Sequence, residues 1–259
     1  MTTTDQLFRL ASDESAAADP ATKEALRYRT ALWRGASGLA RRPVSTNLAA
    51  EICTTLRGID TDVRRIPGTT LRNQATGTDV YTPPDGEARL RALLGNWEHF
   101  LHEHAELDPL IRMAVAHYQF EAIHPFEDGN GRTGRIVNLL FLVGAGLLAQ
   151  PVLYLSRAII RTKADYCQLL LGVTTKDQWN RGCFYLLAAV TETAGWTTAK
   201  IRAMRDLHRT AREHIQRAAP KIDTRELVDA RFEQPCWRPK ATPRRYTALP
   251  CRSECFRAI

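Results

Sequence analysis

Apolar residues recur through most of this chain at the spacing of amphipathic helices. Leu48, Ile52 and Leu56 fall on successive turns behind Ser45, a residue type that commonly caps the start of a helix. After Glu87, apolar residues stand at i, i+3, i+4, i+7 and i+11, which is the stripe of a surface helix packed on a core. The members of this stripe are Leu90, Leu93, Leu94, Trp97 and Leu101. The pattern therefore predicts two helices that bury their apolar faces.

A second pair of predicted helices brackets a polar stretch near the middle of the chain. Asp108 is a favoured cap and Pro109 a favoured first residue, so a helix should run from there to about Ala122. Beyond Gly131, apolar residues occur on nearly every side, which is typical of a helix at the centre of a domain. The same periodicity predicts further helices behind a cap at Thr22, from Ser156 to Leu171 and from Gln178 to about Arg217.

The segment from Ile66 to Pro84 interrupts the helical pattern. It contains a Pro-Gly pair, a further Gly and a Pro-Pro pair, which exclude a long helix and favour a loop or a short hairpin. The chain has neither a repeat of fixed period nor an alternation of strands with helices. We therefore predict an all-α bundle with one small β-hairpin.

Composition narrows the class of protein. With 259 residues, 44% hydrophobic and 25% charged, the chain can form a globular core. Its most apolar stretch, Ile136 to Leu155, is interrupted by Asn138, Gln150 and Pro151, so we interpret it as a buried helix and not a membrane span. The first residues lack the pattern of a signal peptide, and six cysteines without paired spacing predict free thiols. We expect a cytoplasmic protein.

The net charge of +8 is concentrated near the C-terminus. Residues 200–259 hold 15 Lys or Arg against 7 Asp or Glu. This segment lacks an aromatic-interleaved or helix-turn-helix pattern, so we favour a solvated basic tail and do not expect nucleic-acid binding. A nucleic-acid binder acting through these residues is kept as an alternative function.

The polar stretch His124 to Arg135, HPFEDGNGRTGR, carries the candidate chemistry. Gly129 and Gly131 let the backbone approach a ligand closely, and the helix start behind them favours anions such as phosphate. Arg132 and Arg135 stand three apart and can bind phosphate oxygens on one helical face. The segment therefore predicts an anion site.

Two further side chains extend this site beyond anion binding. Asp128 is a hard oxygen ligand beside the predicted phosphate site, an arrangement that suits Mg²⁺. His124 can take up a proton near neutral pH. Each residue alone has an ordinary interpretation, as a loop histidine, a turn residue or a solvated helix face, but together they favour a phosphate-transfer site.

The string resembles the signature of the Fic (filamentation induced by cAMP) family, HxFx(D/E)GNGRxxR, at every specified position. From residue 2 to residue 195, the order of TKEALRY, IPGTTLRNQ, VYTPP and YLSRAIIRTKADYCQLL is also similar to cytoplasmic bacterial Fic proteins. The resemblance implies a Fic-type helical bundle with a β-hairpin flap. It also implies a Fic domain over residues 1–218, with its core at about 47–195, and a partial winged-helix start followed by an irregular basic tail over 219–259.

The resemblance further implies a protein adenylyltransferase that moves AMP from ATP, with Mg²⁺, onto a Ser, Thr or Tyr hydroxyl of a target protein. His124 would be the catalytic base, Asp128 the metal ligand, and Arg135 would lie near the γ-phosphate. The implied nucleotide contacts are Phe126, Glu127, Asp128, Gly129, Asn130, Gly131, Arg132, Thr133, Gly134 and Arg135. The implied flap that aligns a target segment by strand pairing comprises Thr78, Asp79, Val80, Tyr81 and Thr82.

The chain also departs from the family pattern. Fic proteins of this kind usually carry an inhibitory helix with (S/T)xxxE(G/N), and no such string is present; the chain is expected to begin past that helix. We therefore expect Arg135 to be unopposed within the chain, with the site either competent or restrained by a separate inhibitory protein. Relatives often have paired Tyr where this chain has Tyr166-Cys167, and residues 236–259 lack an amphipathic period.

The sequence leaves several functions open. Doc-type toxins, which phosphorylate their targets, carry Lys where this chain has Gly131, so AMP transfer is preferred over kinase activity. Phosphocholine transfer and AMP removal are not distinguished by the motif. From a different class, the chain could be an inactive remnant that acts as a nucleotide-binding or interaction module. The target and the oligomeric state, including a homo-oligomer, are also open.

Overall fold

Side-chain caps start two helices at the positions that the sequence predicts. Ser45 Oγ accepts a hydrogen bond from the Leu48 amide at 3.3 Å. Asp108 Oδ1 accepts one from the Leu110 amide at 2.8 Å, and Pro109 is the first residue of the helix that follows. These caps satisfy amides that a helix start otherwise leaves unpaired.

The computed structural model describes residues 19–72, 77–220 and 224–233. Nearly all regular structure in these ranges is helical, which confirms the predicted all-α class with a small hairpin. The elements are α1 (Pro20–Gly38), α2 (Thr46–Arg57), β1 (Leu71–Arg72), β2 (Asp79–Tyr81), α3 (Glu87–Glu103), α4 (Pro109–Ile123), α5 (Asn130–Gly144), α6 (Leu155–Arg161), α7 (Lys163–Lys176), α8 (Trp179–Ala218) and α9 (Thr224–Glu233). The predictions for residues 1–18 and 234–259 lie outside the described residues.

Helix α5 lies at the centre of the core. It packs against α2 and α4, and α3 packs against α4. Ile136 and Leu140 on α5 are fully buried, and so is Trp97 on α3, whose Nε1 donates to the Ala116 carbonyl at 3.0 Å. On α1, a Cβ at Gly35 would lie 2.6 Å from Leu140 Cδ1, so a larger residue there would require the Leu140 side chain to move. The start of α5 is therefore held from several sides.

The hairpin is short and attached to the end of α4. Strands β1 and β2 are antiparallel, with Leu71 opposite Tyr81 and Arg72 opposite Asp79. Arg72 Nε donates to Asp79 Oδ1 at 2.7 Å across the pair. The Tyr81 hydroxyl donates to the Ala122 carbonyl at 2.9 Å. This last bond places the hairpin beside Ala122, two residues before the motif begins at His124.

Two element predictions differ from the structure. The cap of α1 is Asp19, whose Oδ1 lies 3.0 Å from the Ala21 amide and 3.1 Å from that of Thr22, and not Thr22 itself. The predicted helix from Ser156 to Leu171 is two helices, because Thr162 leaves the helical conformation at φ −119° and ψ 38°. Both differences depend on backbone geometry that the apolar pattern does not specify.

The chain divides into two compact units. Residues 24–200 form one unit, which contains both hydrophobic clusters and the whole motif. Residues 19–23, 201–220 and 224–233 belong to the other, in which His208 Nε2 lies 2.7 Å from Asp229 Oδ1. Within the described ranges, no helix is both long enough and apolar enough to span a membrane.

Candidate active site

The predicted base, His124, stands where α4 ends abruptly. It adopts a left-handed conformation, φ 50° and ψ 58°, and its amide donates to the Phe120 carbonyl at 3.0 Å. This conformation is uncommon for residues other than glycine and persists only where the surroundings impose it. The chain therefore turns sharply at His124, from a buried helix into the motif loop.

Arg64 supplies much of that constraint, and sequence reasoning missed it. Its guanidinium donates from Nε to the His124 carbonyl at 2.9 Å, from Nη1 to Asp85 at 2.8 Å, and from Nη2 to the Pro84 carbonyl. The Arg64 amide also donates to the Pro125 carbonyl at 2.8 Å. Only 3% of Arg64 is exposed. Arg64 thus joins the turn at His124 to the segment that leaves the hairpin.

Asn130 closes the motif loop from inside. The Phe126 amide donates to Asn130 Oδ1 at 2.8 Å, and Asn130 Nδ2 donates to the Phe126 carbonyl at 2.7 Å. Phe126 is fully buried, so these bonds fix the loop to the core. Both ends of the Asn130 amide are engaged with Phe126, and its implied role in orienting a phosphate stays a prediction.

The start of α5 has the geometry that an anion site needs. Gly129 precedes the helix with φ 87°, and a Cβ there would lie 3.1 Å from the sulfur of buried Cys53. The first helical bond runs from the Thr133 amide to the Gly129 carbonyl at 2.9 Å. The amides ahead of it have no partner within the helix, and the helix dipole adds positive potential there. Phosphate is the usual ligand of such a helix start.

Asp128 and Arg132 form a charged group at the mouth of the site. Arg132 Nη2 lies 3.0 Å from Asp128 Oδ2, and Nη1 lies 2.5 Å from Glu24 Oε1 on α1. The Asp128 side chain is 68% exposed and accessible to a ligand. No cluster of three or more metal-ligating acidic, His or Cys side chains occurs among residues 19–72, 77–220 and 224–233. One accessible carboxylate fits Mg²⁺ when phosphate oxygens complete its coordination, which is how proteins usually hold this ion.

Arg135 contacts different partners from Arg132. Its Nε donates to Ser156 Oγ at 3.1 Å, at the start of α6. In the part of the chain that the structure describes, Arg135 forms no salt bridge. Restraint of the site by a separate inhibitory protein stays a prediction.

The environment of His124 favours the neutral imidazole. Burial lowers its pKa most, and the positive charge of Arg64 lowers it further, whereas the Glu121 backbone and Asp128 act in the opposite direction. Its Nδ1 is buried and makes no hydrogen bond of normal geometry to a described residue. A histidine that is unprotonated near neutral pH can accept a proton from a substrate.

The remaining predicted site residues differ in how far they are exposed. Glu127 is exposed, with Oε2 at 4.0 Å from Arg57 Nη2, whereas Thr133 and Gly134 are buried in the first turn of α5. On the hairpin, Asp79 and Val80 are exposed, and Val80 is 40% exposed. Thr78 and Thr82 flank β2 on either side.

The fold and the site together define a helical protein with a candidate anion site at a helix start, and comparison with known proteins shows which family this part of the chain resembles. Residues 48–142 match the model of the Fic/DOC family. The match runs from α2 into α5, so it includes the hairpin, α4 and the motif loop. Residues 48–142 are therefore similar to the Fic/DOC family, in agreement with the resemblance that the motif shows.

Named relatives and solved structures agree with this assignment. The chain is 35% identical over 117 residues to "Protein adenylyltransferase Fic" of Drosophila virilis, covering 42% of this chain and 24% of that protein. It is 40% identical over 60 residues to "Protein adenylyltransferase fic-1" of Caenorhabditis briggsae, covering 23% and 11%. The chain thus spans about a quarter or less of these relatives.

The fold is similar to that of solved structures of Fic proteins. A Fic family protein from Desulfovibrio desulfuricans G20 superposes with a TM-score of 0.62 at 20% identity, over 77% of this chain and 60% of that one. Fic-1 from C. elegans superposes with a TM-score of 0.55 at 20% identity, over 77% and 58%. At this identity the likeness establishes the fold.

Proposed function

We propose that the Fic domain is a Mg²⁺-dependent protein adenylyltransferase that transfers AMP from ATP to a hydroxyl side chain of a target protein. The observation that carries the proposal is the position of His124, a half-buried histidine with a lowered pKa, held at the turn that leads into the start of α5. The names of the relatives support the same reaction, since they are called protein adenylyltransferases.

In the proposed reaction, the target's hydroxyl oxygen attacks the α-phosphorus of ATP and its proton passes to His124. The bond between the α-phosphorus and the oxygen that bridges to the β-phosphate breaks, and pyrophosphate leaves. The amides at Gly129–Gly131 and the guanidinium of Arg135 would stabilise the phosphate charge. A Mg²⁺ ion held by Asp128 and the phosphates would neutralise further charge.

The hairpin is the proposed docking element for the target. Its two strands form a sheet of their own within the described residues, so each strand has an edge that another strand could join. Val80 is exposed on β2, and the Tyr81 hydroxyl joins β2 to α4 by its hydrogen bond to the Ala122 carbonyl, two residues before His124. A target segment added to this sheet would present a hydroxyl close to the base.

A second candidate is a nucleotide-binding module that does not transfer AMP. It is favoured by one observation: Arg132 is already paired with both Asp128 and Glu24, and those pairs must rearrange before Arg132 and Asp128 bind phosphate and metal.

We further propose that a separate inhibitory protein restrains the site and that the protein is cytoplasmic.

The test follows two labels of ATP separately. Purified protein is incubated with cell lysate, Mg²⁺ and ATP carrying radioactive phosphorus at either the α or the γ position. We expect the α label, and not the γ label, to enter protein, and His124→Ala to reduce this by about 10²- to 10⁴-fold. His99→Ala, at an exposed position outside the motif, should label normally.

Other outcomes separate the alternatives. Incorporation of the γ label would indicate phosphorylation. ATP binding without incorporation of either label would favour the nucleotide-binding module. Absence of ATP binding would contradict both candidates.

A further inference from the structure

An acidic side chain outside the motif lies beneath the first turn of α5. Glu121 belongs to α4, and its Oε1 is inaccessible to solvent and without a hydrogen-bond partner, although part of the residue reaches the surface. A Cβ at Gly134 would lie 2.8 Å from this oxygen, and one at Gly131 would lie 3.8 Å from Oε1 and 3.9 Å from Oε2. The carboxyl group therefore occupies space that two glycines of the motif leave open.

Arg135 lies on the same side of this turn. The Cβ position at Gly131 that is close to Glu121 is also 3.2 Å from Arg135 Nη1. The two side chains nevertheless form no salt bridge, and Arg135 donates from Nε to Ser156 Oγ. A carboxyl oxygen that is inaccessible to solvent and has no hydrogen-bond partner costs free energy, so the presence of Glu121 Oε1 beside a candidate site requires an explanation.

The groups that face Glu121 come from three helices. On α4 itself, His117 is buried and its pKa is lowered to about 3 by burial, so it stays neutral. On α7, the pKa values of Tyr166 and Cys167 are raised mainly by burial and partly by Glu121. On α5, Arg135 is the opposite charge, and it opposes the burial that raises the pKa of Glu121 to about 7.

We propose that Glu121 is a positioning residue that acts on the bound nucleotide through Arg135, and that it takes up a proton when the triphosphate binds. The inference rests on the proposed function, since it requires a triphosphate at the start of α5. As phosphate oxygens draw the Arg135 guanidinium towards them, the Glu121 carboxylate loses its compensating charge and gains a negative neighbour. One proton then moves from the solvent to a Glu121 carboxylate oxygen.

The sign of the resulting pH dependence follows from linkage. Above neutral pH, Glu121 is ionised in the free protein, so binding of a polyanion must be accompanied by proton uptake or by repulsion. Below neutral pH the residue is already neutral, and this cost disappears. Removing the charge should therefore help nucleotide binding at high pH and have little effect at low pH.

The experiment compares ATP dissociation constants of the full chain and of Glu121→Gln between about pH 6 and pH 9. Because the same nucleotide is used for both proteins, the titration of its own phosphates cancels in the ratio. We expect Glu121→Gln to bind about tenfold more tightly than the unmodified chain at the high end and within about twofold at the low end, as a shift of one pKa unit gives. Glu103→Gln, at an exposed acid on α3, is the matched control and should give a constant ratio.

A second measurement does not depend on the variant. Carbon NMR of the Glu121 carboxyl in the unmodified protein should show a titration midpoint near neutrality that rises when a non-cleavable ATP analogue is added. A ratio of dissociation constants that does not change with pH, or a midpoint that the analogue leaves in place, would overturn the role of Glu121 and leave the proposed function intact. If the unmodified chain binds no ATP, the proposed function fails together with this inference.

Discussion

At the scale of single residues, the site depends on side chains outside the segment His124 to Arg135. Arg64 joins the His124 carbonyl to Asp85 and Pro84, and Tyr81 joins the hairpin to the Ala122 carbonyl. Neither interaction involves the imidazole itself. Both fix the backbone from which the imidazole projects.

Replacement of Arg64 should therefore damage both stability and the site. In Arg64→Gln, the carbonyls of His124 and Pro84 lose a donor, and we expect the free energy of unfolding to fall by about 2 to 4 kcal/mol. Urea denaturation measures this change. Arg65→Gln is the control, because Arg65 is 71% exposed and its ion pairs should contribute at most about 1 kcal/mol. Equal losses in the two variants would contradict the role assigned to Arg64.

Buried His117 should make stability depend on pH. Asn138 Nδ2 lies 3.0 Å from its Nδ1 and the Tyr166 hydroxyl 2.8 Å from its Nε2, and burial lowers its pKa from 6.5 to about 3. Because the folded state resists protonation, the stabilisation is complete above the unfolded pKa and is lost as the pH falls towards 3. By linkage, this residue should contribute a loss of about 2 kcal/mol between about pH 7.5 and pH 5.

The measurement is urea denaturation at both pH values. We expect His117→Phe to lose less stability on acidification than the unmodified chain, whatever its stability at neutral pH. Exposed His99→Phe serves as the control and should retain the full loss. If His117→Phe and the unmodified chain lose equal stability, His117 is not the group responsible.

The sequence predicts the residue types of the site better than their contacts. His124, Asp128 and the two glycines are found because a contiguous segment contains them. Arg64 and Glu121 are not found. Arg64 is buried against that segment and Glu121 lies beneath it, and distance along the chain gives no indication of either contact.

At the scale of elements, apolar periodicity predicts the helices, whereas the closure of the motif loop depends on the side chain of Asn130. The caps at Ser45 and Asp108 were predictable because they act within three residues. The break at Thr162 was not, because apolar periodicity continues through it. The closure of the motif loop by Asn130 also lay beyond a pattern of residue types.

Loss of the Asn130 side chain should open that loop. In Asn130→Ala, the buried amide and carbonyl of Phe126 both lose their partner, which we expect to cost about 1 to 3 kcal/mol of unfolding free energy and to weaken ATP binding. Asn47→Ala, at an exposed position in the first turn of α2, should change stability by less than about 0.5 kcal/mol. Thermal unfolding and ATP titration check both variants. Unchanged ATP affinity in a destabilised Asn130→Ala would show that the loop does not need this closure to bind nucleotide.

At the scale of the whole molecule, the site belongs to one of two compact units. Residues 24–200 contain the motif, the hairpin and both hydrophobic clusters. The fold class was predictable from periodicity, whereas the division at residue 200 was not, because α8 continues through it without a break. The described parts of the basic segment, residues 201–220 and 224–233, lie outside the unit that holds the site.

A fragment of residues 19–200, which keeps Asp19 and the whole of α1 with this unit, should therefore fold and bind ATP with the affinity of the full chain. Circular dichroism and ATP titration test this expectation, with His124→Ala as a fragment control that should still bind. A salt-dependent interaction of the full chain with DNA, absent from the fragment, would instead support the nucleic-acid alternative. Failure of the folded fragment to bind ATP would show that the site is incomplete without the second unit.

The central claim is that the start of α5 holds a triphosphate with its α-phosphorus facing His124. A crystal structure of the chain with Mg²⁺ and an ATP analogue that cannot be cleaved between the α- and β-phosphates tests it most directly. We expect phosphate oxygens at the Gly129–Gly131 amides, the metal on Asp128, and the imidazole of His124 directed towards the position of an incoming hydroxyl at the α-phosphorus. A nucleotide bound elsewhere, or one whose γ-phosphate faces His124, would contradict it.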